Sequence, residues 1–129
     1  MNERQRRNIL ILDPERDTAE LFMRALETHT NSSKCYWVQT SEDARELLSE
    51  ISFNFVLADF SVLEHDHFLL LEAIRGAPCR TMVIVNAYLN QKDEIKQVLK
   101  LGATGYFIKP IMINSLRKLI DDLTGVPSQ

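Results

Sequence analysis

The chain reads as an α/β protein, a doubly wound three-layer sandwich around a parallel sheet. Three observations predict it. Five short apolar runs centre near Ile11, Val38, Val56, Ile84 and Phe107. Stretches of helical periodicity separate them, which is the pattern of βαβ units. Three of the runs end on charge: Ile9-Leu10-Ile11-Leu12 meets Asp13, Phe53-Asn54-Phe55-Val56-Leu57-Ala58 meets Asp59, and Tyr106-Phe107-Ile108 meets Lys109-Pro110. Crossovers between parallel strands are right-handed, and ligands of such sheets bind beyond the carboxyl ends of the strands.

The first strand leads into a helix expected to begin near Pro14, where the missing N–H is not needed. Ala19, Leu21, Phe22, Ala25 and Leu26 form its apolar face. The strand at Val38 precedes a second helix with Ala44, Leu47, Leu48 and Ile51 at helical spacing. Thr40 and Asp43 give it a start resembling a capping box. After the strand at Val56, Asp66 is a good N-cap for a third helix through Phe68, Leu71 and Ile74 to Gly76. The strand at Ile84 precedes a fourth helix carrying Ile95, Val98 and Leu99, which ends at Gly102, the favoured residue past a helix end. The fifth helix follows Phe107 and carries Leu116, Leu119, Ile120 and Leu123, with Gly125 and Pro127 behind it. The tail Val126-Pro127-Ser128-Gln129 reads equally as a natural end or as the start of a trimmed linker.

A length of 129 residues suits one domain, 1–129, with a core from about 8 to 125. Hydrophobic residues make up 45% and charged residues 26%, as in soluble globular proteins. A net charge of −3 offers no bulk attraction to nucleic acid. The basic cluster Arg4, Arg6 and Arg7 reads as a solvated tail. No apolar run approaches the ~18 residues of a membrane helix, and the start lacks the apolar stretch of a signal peptide. A cytoplasmic location without membrane contact is therefore expected. Cys35 and Cys79 have neither CxxC spacing nor companions at metal spacing, so both are expected to be buried, reduced thiols.

If the charged strand ends are neighbours, Asp13, Asp59 and Lys109 converge on one edge of the sheet. Two carboxylates and an ammonium suit phosphate and a divalent cation. Mg²⁺ commonly takes one or two carboxylates together with phosphate oxygens and water. A carboxylate can also attack a phosphoryl group and become an aspartyl phosphate, a transfer in which the protein mainly positions groups and neutralises charge. Lys109 would pair with that phosphate as a point charge, its backbone held near extended geometry by Pro110. The bland readings stand beside this one. A strand-end Asp is often a helix cap, which suits Asp13 before Pro14, and a Lys-Pro dipeptide says little alone. His65 and His67 flank Asp66, but His-x-His is a weak metal signal and exposed loop histidines are the simpler reading. Near the pocket, His67 would add positive charge below pH ~6.5. No Gly-rich phosphate loop follows the first strand, where Asp13-Pro14-Glu15-Arg16 stands, and no nucleophile–base–acid set appears. A small enzyme or flavin carrier is thereby disfavoured, and no residues remain for a helix-turn-helix domain.

Four segments together resemble the receiver domain of two-component response regulators, close in size to the stand-alone chemotaxis type. They are Ile9–Asp13, Thr40-Ser41-Glu42-Asp43-Ala44, Phe55–Asp59, and Leu101-Gly102-Ala103-Thr104-Gly105-Tyr106-Phe107-Ile108-Lys109-Pro110. The resemblance covers Asn8 to about Leu123. It implies a flavodoxin-like sheet of order 2-1-3-4-5 with five helices, and a bacterial phosphorelay signalling role rather than an enzyme's. At most, Mg²⁺-dependent self-phosphorylation and autodephosphorylation are implied. Residue by residue, Asp59 resembles the phosphoacceptor and Asp13 one of the paired metal-binding acids. Lys109 resembles the lysine on the phosphoryl group, and Tyr106 the aromatic switch residue. The Ser61 backbone carbonyl resembles the third protein ligand of Mg²⁺. A sensor histidine kinase or phosphotransfer protein would donate the phosphoryl group. The face formed by the fourth helix, fifth strand and fifth helix would engage a downstream protein, an effector domain or a second copy of the chain.

The departures from the family pattern are specific. Pro14 stands where a second acid is usual, leaving Glu15 as a candidate ligand through a bridging water. Asn86 replaces the usual Ser or Thr that ends the fourth strand. It can still donate to the phosphoryl group, but it is larger and its switching is open. Val62-Leu63 and Asp66-His67 replace the usual Met-Pro and Asp-Gly, which suggests an altered loop over the site. Ser61 and Tyr88 occupy positions that tune water access to the acyl phosphate in the family. A bulky Tyr88 would slow hydrolysis or simply pack on the surface. Pro14 and Asn86 favour the alternative of a phosphorylation-independent pseudo-receiver that acts as a protein-binding module.

Overall fold

The computed structural model describes residues 7–29, 33–78 and 80–124. Five strands, β1 (Arg7–Leu12), β2 (Ser33–Val38), β3 (Phe55–Asp59), β4 (Met82–Ala87) and β5 (Gly105–Ile108), form one sheet. Its order is β2-β1-β3-β4-β5, and every pairing is parallel. Both faces of the sheet are covered, which is why the central strands are continuous apolar runs rather than alternating ones. Side chains of successive residues point to opposite faces. Ile9, Ile11, Phe55, Leu57 and Ile84 therefore pack under α1 (Arg16–His29) and α6 (Ile113–Thr124) with Phe22, Leu26, Leu116 and Ile120. Leu10, Leu12, Val56, Ala58, Val83 and Val85 pack on the other face, under α2 (Ser41–Glu50), α3 (Phe60–His65), α4 (Leu69–Gly76) and α5 (Lys92–Lys100). Each fully buried Leu or Ile of these clusters contributes roughly 1.5–3 kcal/mol of transfer free energy.

Among the described residues six α-helices stand where five are expected, because the third divides. The chain enters α3 immediately after Asp59, whose carboxylate caps it by accepting from the Ser61 N–H at 3.1 Å. It then reverses through His67 and Phe68, both left-handed with φ of 56° and 62°. Asp66 still serves α4, accepting from the Leu70 N–H at 3.1 Å. The tight reversal lets Phe68 lay its ring 5.7 Å from that of Phe60. Smaller differences follow from capping. Helix α1 begins at Arg16, so Pro14 lies outside it and the Glu15 carbonyl accepts the first helical bond, from Ala19 N–H. Val38 is the last residue of β2 rather than its centre. The Thr40 hydroxyl caps α2 by accepting from Asp43 N–H at 3.1 Å, and Gly102 leaves α5 with a φ of +114°.

Cys35 is buried and free, and burial followed by the Glu27 charge pushes its thiol up to about 12. Arg4, Arg6, Cys79, Gly125, the tail from Val126 and the Leu123 side chain lie outside the described residues. Among the described residues no helix is long and apolar enough to cross a membrane.

Candidate functional site

The site is assembled by strand register. Leu12 pairs with Ala58, which sets Asp13 beside Asp59 just past the ends of β1 and β3. Asp59 pairs with Asn86 on β4. Asn86 pairs with Phe107 on β5, and the Lys109 N–H donates to the Ala87 carbonyl at 2.8 Å. Four strand ends thus deliver Asp13, Asp59, Asn86 and Lys109 into one row. All four line a cleft of about 610 Å³, walled further by Pro14, Glu15, Ser61, Tyr88 and Ile111. Asp13 and Asp59 are each 3% exposed and Asn86 is 2% exposed, so the row forms the floor of the cleft.

Asp59 is surrounded by donors. The Lys109 ammonium pairs with its Oδ1, and the Ser61 hydroxyl and backbone N–H both donate to its Oδ2. The Lys109 Nζ also sits 4.8 Å from the centre of the Tyr88 ring, where the ring's negative face attracts it. Tyr88 is held in turn by the Gln91 side chain, whose Oε1 accepts from the Tyr88 N–H at 2.8 Å.

Asp13 is poorer in partners. Its Oδ1 accepts from the Glu15 N–H at 2.8 Å. Burial raises its pKa, the Glu15 hydrogen bond opposes the rise, and the Asp59 charge adds to it. Lys109 lowers it and the Glu15 charge raises it more weakly. Two buried carboxylates against one ammonium leave the floor negative, which favours a cation.

The donor set fits Mg²⁺ of the kind that keeps several waters, since two carboxylates face one cleft. Pro14 offers no oxygen from its side chain, and Glu15 lines the rim. Among the described residues no group of three or more His, Cys, Asp or Glu forms a metal cage. Any cation would therefore take the rest of its shell from backbone carbonyl, water or phosphate oxygens.

The remaining predicted residues lie elsewhere. His67 is exposed on the turn between α3 and α4, as the simpler reading of a loop histidine expects, and it does not line the cleft, so its alternative placement beside the site is corrected. The reversal after α3 carries it away from the strand ends. His65 is likewise exposed. Tyr106 is 47% exposed on the edge strand β5, in register with Val85 and outside the cleft lining. Two residues that the sequence reading did not single out touch the site's backbone. The Trp37 indole N–H donates to the Asp13 carbonyl at 2.9 Å, and the Gln39 amide to the Pro14 carbonyl at 3.3 Å. Only their place at the end of the strand beside Asp13 marks them in advance.

The response regulator receiver domain model matches residues 9–121. Transcriptional regulatory protein DcuR of Escherichia coli (strain K12) is 27% identical over 115 residues, covering 88% of this chain and 48% of that protein. Response regulator protein PilR of Pseudomonas aeruginosa is 28% identical over 118 residues, covering 89% of this chain and 25% of that protein. The chain thus spans half or less of these relatives. Among solved structures, the signal receiver domain of a DNA binding response regulator (merR) from Colwellia psychrerythraea 34H superposes with a TM-score of 0.83. It is 25% identical, with 92% of this chain and 98% of that one covered. A two-component response regulator from Clostridium difficile superposes with a TM-score of 0.82 at 20% identity, covering 93% and 97%.

Proposed function

Because the chain belongs to the response regulator receiver domain family, we propose that it accepts a phosphoryl group on Asp59 from a histidine kinase or phosphotransfer protein. The carrying observation is that the buried Asp59 carboxylate lies between a second carboxylate, Asp13, and the Lys109 ammonium. In this reading an Asp59 oxygen attacks phosphorus, and the bond from phosphorus to the donor histidine nitrogen breaks. Asp13 and Asp59, with the Ser61 carbonyl, would hold Mg²⁺, which shields the negative charge that gathers on the phosphoryl oxygens. Lys109 would leave its pairing with the carboxylate and follow a phosphoryl oxygen. Asn86 would donate its amide to another. The added charge then biases the loop after β4 and Tyr106, and with them the face of α5, β5 and α6. That face would engage a downstream protein or effector domain.

A second reading, a phosphate-independent binding module, is favoured by Pro14, which lines the cleft without a carboxylate. Intact mass after incubation with Mg²⁺ and acetyl phosphate separates the two. One added phosphoryl group in the wild type and none in Asp59→Asn supports the receiver reading. No added mass, together with no detectable Mg²⁺ binding, supports the binding module.

A further inference from the structure

We propose that Trp37 is a positioning residue for the Asp13 carboxylate, bracing from the edge strand the backbone that carries it. Asp13 lies past the last paired residue of β1, and α1 starts only at Arg16. Its carbonyl therefore falls between the sheet ladder and the helix, and Pro14 supplies no N–H to the segment. Three consecutive residues, at the end of the neighbouring strand β2 and just past it, hold this gap. Trp37 donates its indole N–H to the Asp13 carbonyl at 2.9 Å. The Val38 carbonyl accepts from the Asp13 N–H at 3.1 Å. Gln39 reaches the Pro14 carbonyl at 3.3 Å. The indole is a firm anchor, because its half-buried ring packs on the cluster around Ile9, Ile11, Ala19 and Phe22.

The brace has a load to oppose. Asp13 faces the like charge of Asp59 across neighbouring strand ends. A free segment would relax by swinging the Asp13 carboxylate toward water and away from Asp59, and the cation site would open. With no second acid at Pro14, that one placement carries much of the site's affinity. The inference rests on the metal role proposed above for Asp13.

The test is Mg²⁺ titration of the intact chain by calorimetry at 10 °C, with Trp37→Phe and Gln39→Ala alongside the wild type. Circular dichroism confirms that each is folded at that temperature. Phe keeps an aromatic body and removes the N–H. Losing a hydrogen bond that orients a metal ligand costs 10–100-fold in affinity as a rule. Since this bond acts through backbone, Trp37→Phe is expected to bind Mg²⁺ about tenfold more weakly, and Gln39→Ala less affected. Trp37 is the single tryptophan, so ¹⁵N labelling gives one indole resonance. It is expected to exchange slowly with solvent and to shift along the same titration. A merely structural role would lower the melting temperature of Trp37→Phe while leaving its Mg²⁺ affinity within twofold of wild type, and that result overturns the inference. So does a rapidly exchanging indole. A wild type that binds no Mg²⁺ removes the metal reading itself, and the positioning role with it.

Discussion

Replacing His67 by glycine should stabilise the protein. His67 has a φ of 56°, in the left-handed region, and its imidazole is exposed. A side chain there costs ~1–2 kcal/mol through the approach of Cβ to the following carbonyl oxygen. Histidine, with Asn and Asp, is found there more often than other residues, which places it at about 1 kcal/mol. Glycine removes that cost and keeps the turn's own bond, from His67 N–H to the Glu64 carbonyl at 2.9 Å. Its larger unfolded-state entropy takes back about 0.5 kcal/mol. The net gain for His67→Gly is ~0.5 kcal/mol, or a rise of about 2 °C in Tm for a domain of this size. The assay is urea and thermal unfolding, with an unchanged urea slope as the sign that only stability moved. His67→Val is the opposing arm. A β-branched residue is an outlier at this φ, so about 1 kcal/mol should be lost. Phosphoryl acceptance should be the same in both, because His67 lies outside the cleft. A His67→Gly protein no more stable than wild type, beside an unharmed His67→Val, would refute the backbone argument.

Three further outcomes follow from the site and its frame. Burial, reinforced by Asp59, raises the Asp13 pKa above its ordinary 3.8. The folded state thus binds this proton more tightly than the unfolded chain, and ionised Asp13 destabilises above its folded pKa and not below the unfolded one. Asp13→Asn should exceed wild type in urea midpoint at pH 7 by a margin that shrinks as pH falls through that window; a margin independent of pH would contradict the assignment. Lys109→Gln removes a cation that competes for Asp59, so Mg²⁺ affinity by calorimetry should rise about fivefold, equivalent to ~1 kcal/mol; weaker binding would count against it. Gly102 has a φ of +114°, and an added Cβ would overlap the Arg75 side chain. Gly102→Ala should therefore lose about 1–2 kcal/mol by chemical denaturation. Gly105→Ala, with open space around it, should stay within ~0.5 kcal/mol.

Local pattern carried much of this molecule. Apolar runs of four to six residues need cover on both faces, so the five strands were visible before any contact was known. A charge that ends such a run must surface at the strand's carboxyl end, and this marked Asp13, Asp59 and Lys109 from the sequence. The helices over Leu47–Leu48 and Ile95–Val98 followed from their spacing, and Gly102 from the need for a residue with positive φ. What placed these groups together was tertiary. Register across neighbouring strands set the row at the cleft floor and brought Lys109 to Asp59, 50 residues away along the chain. The break in the third helix depends on Phe68 packing against Phe60 across a left-handed turn, a contact that outweighs an otherwise helical periodicity. That turn also took His67 out of the site. The hold of Trp37 on Asp13 exists because β2 lies beside β1. An isolated sequence determines which side chains must be buried and which must surface; only the packed sheet decides which of the surfacing ones meet.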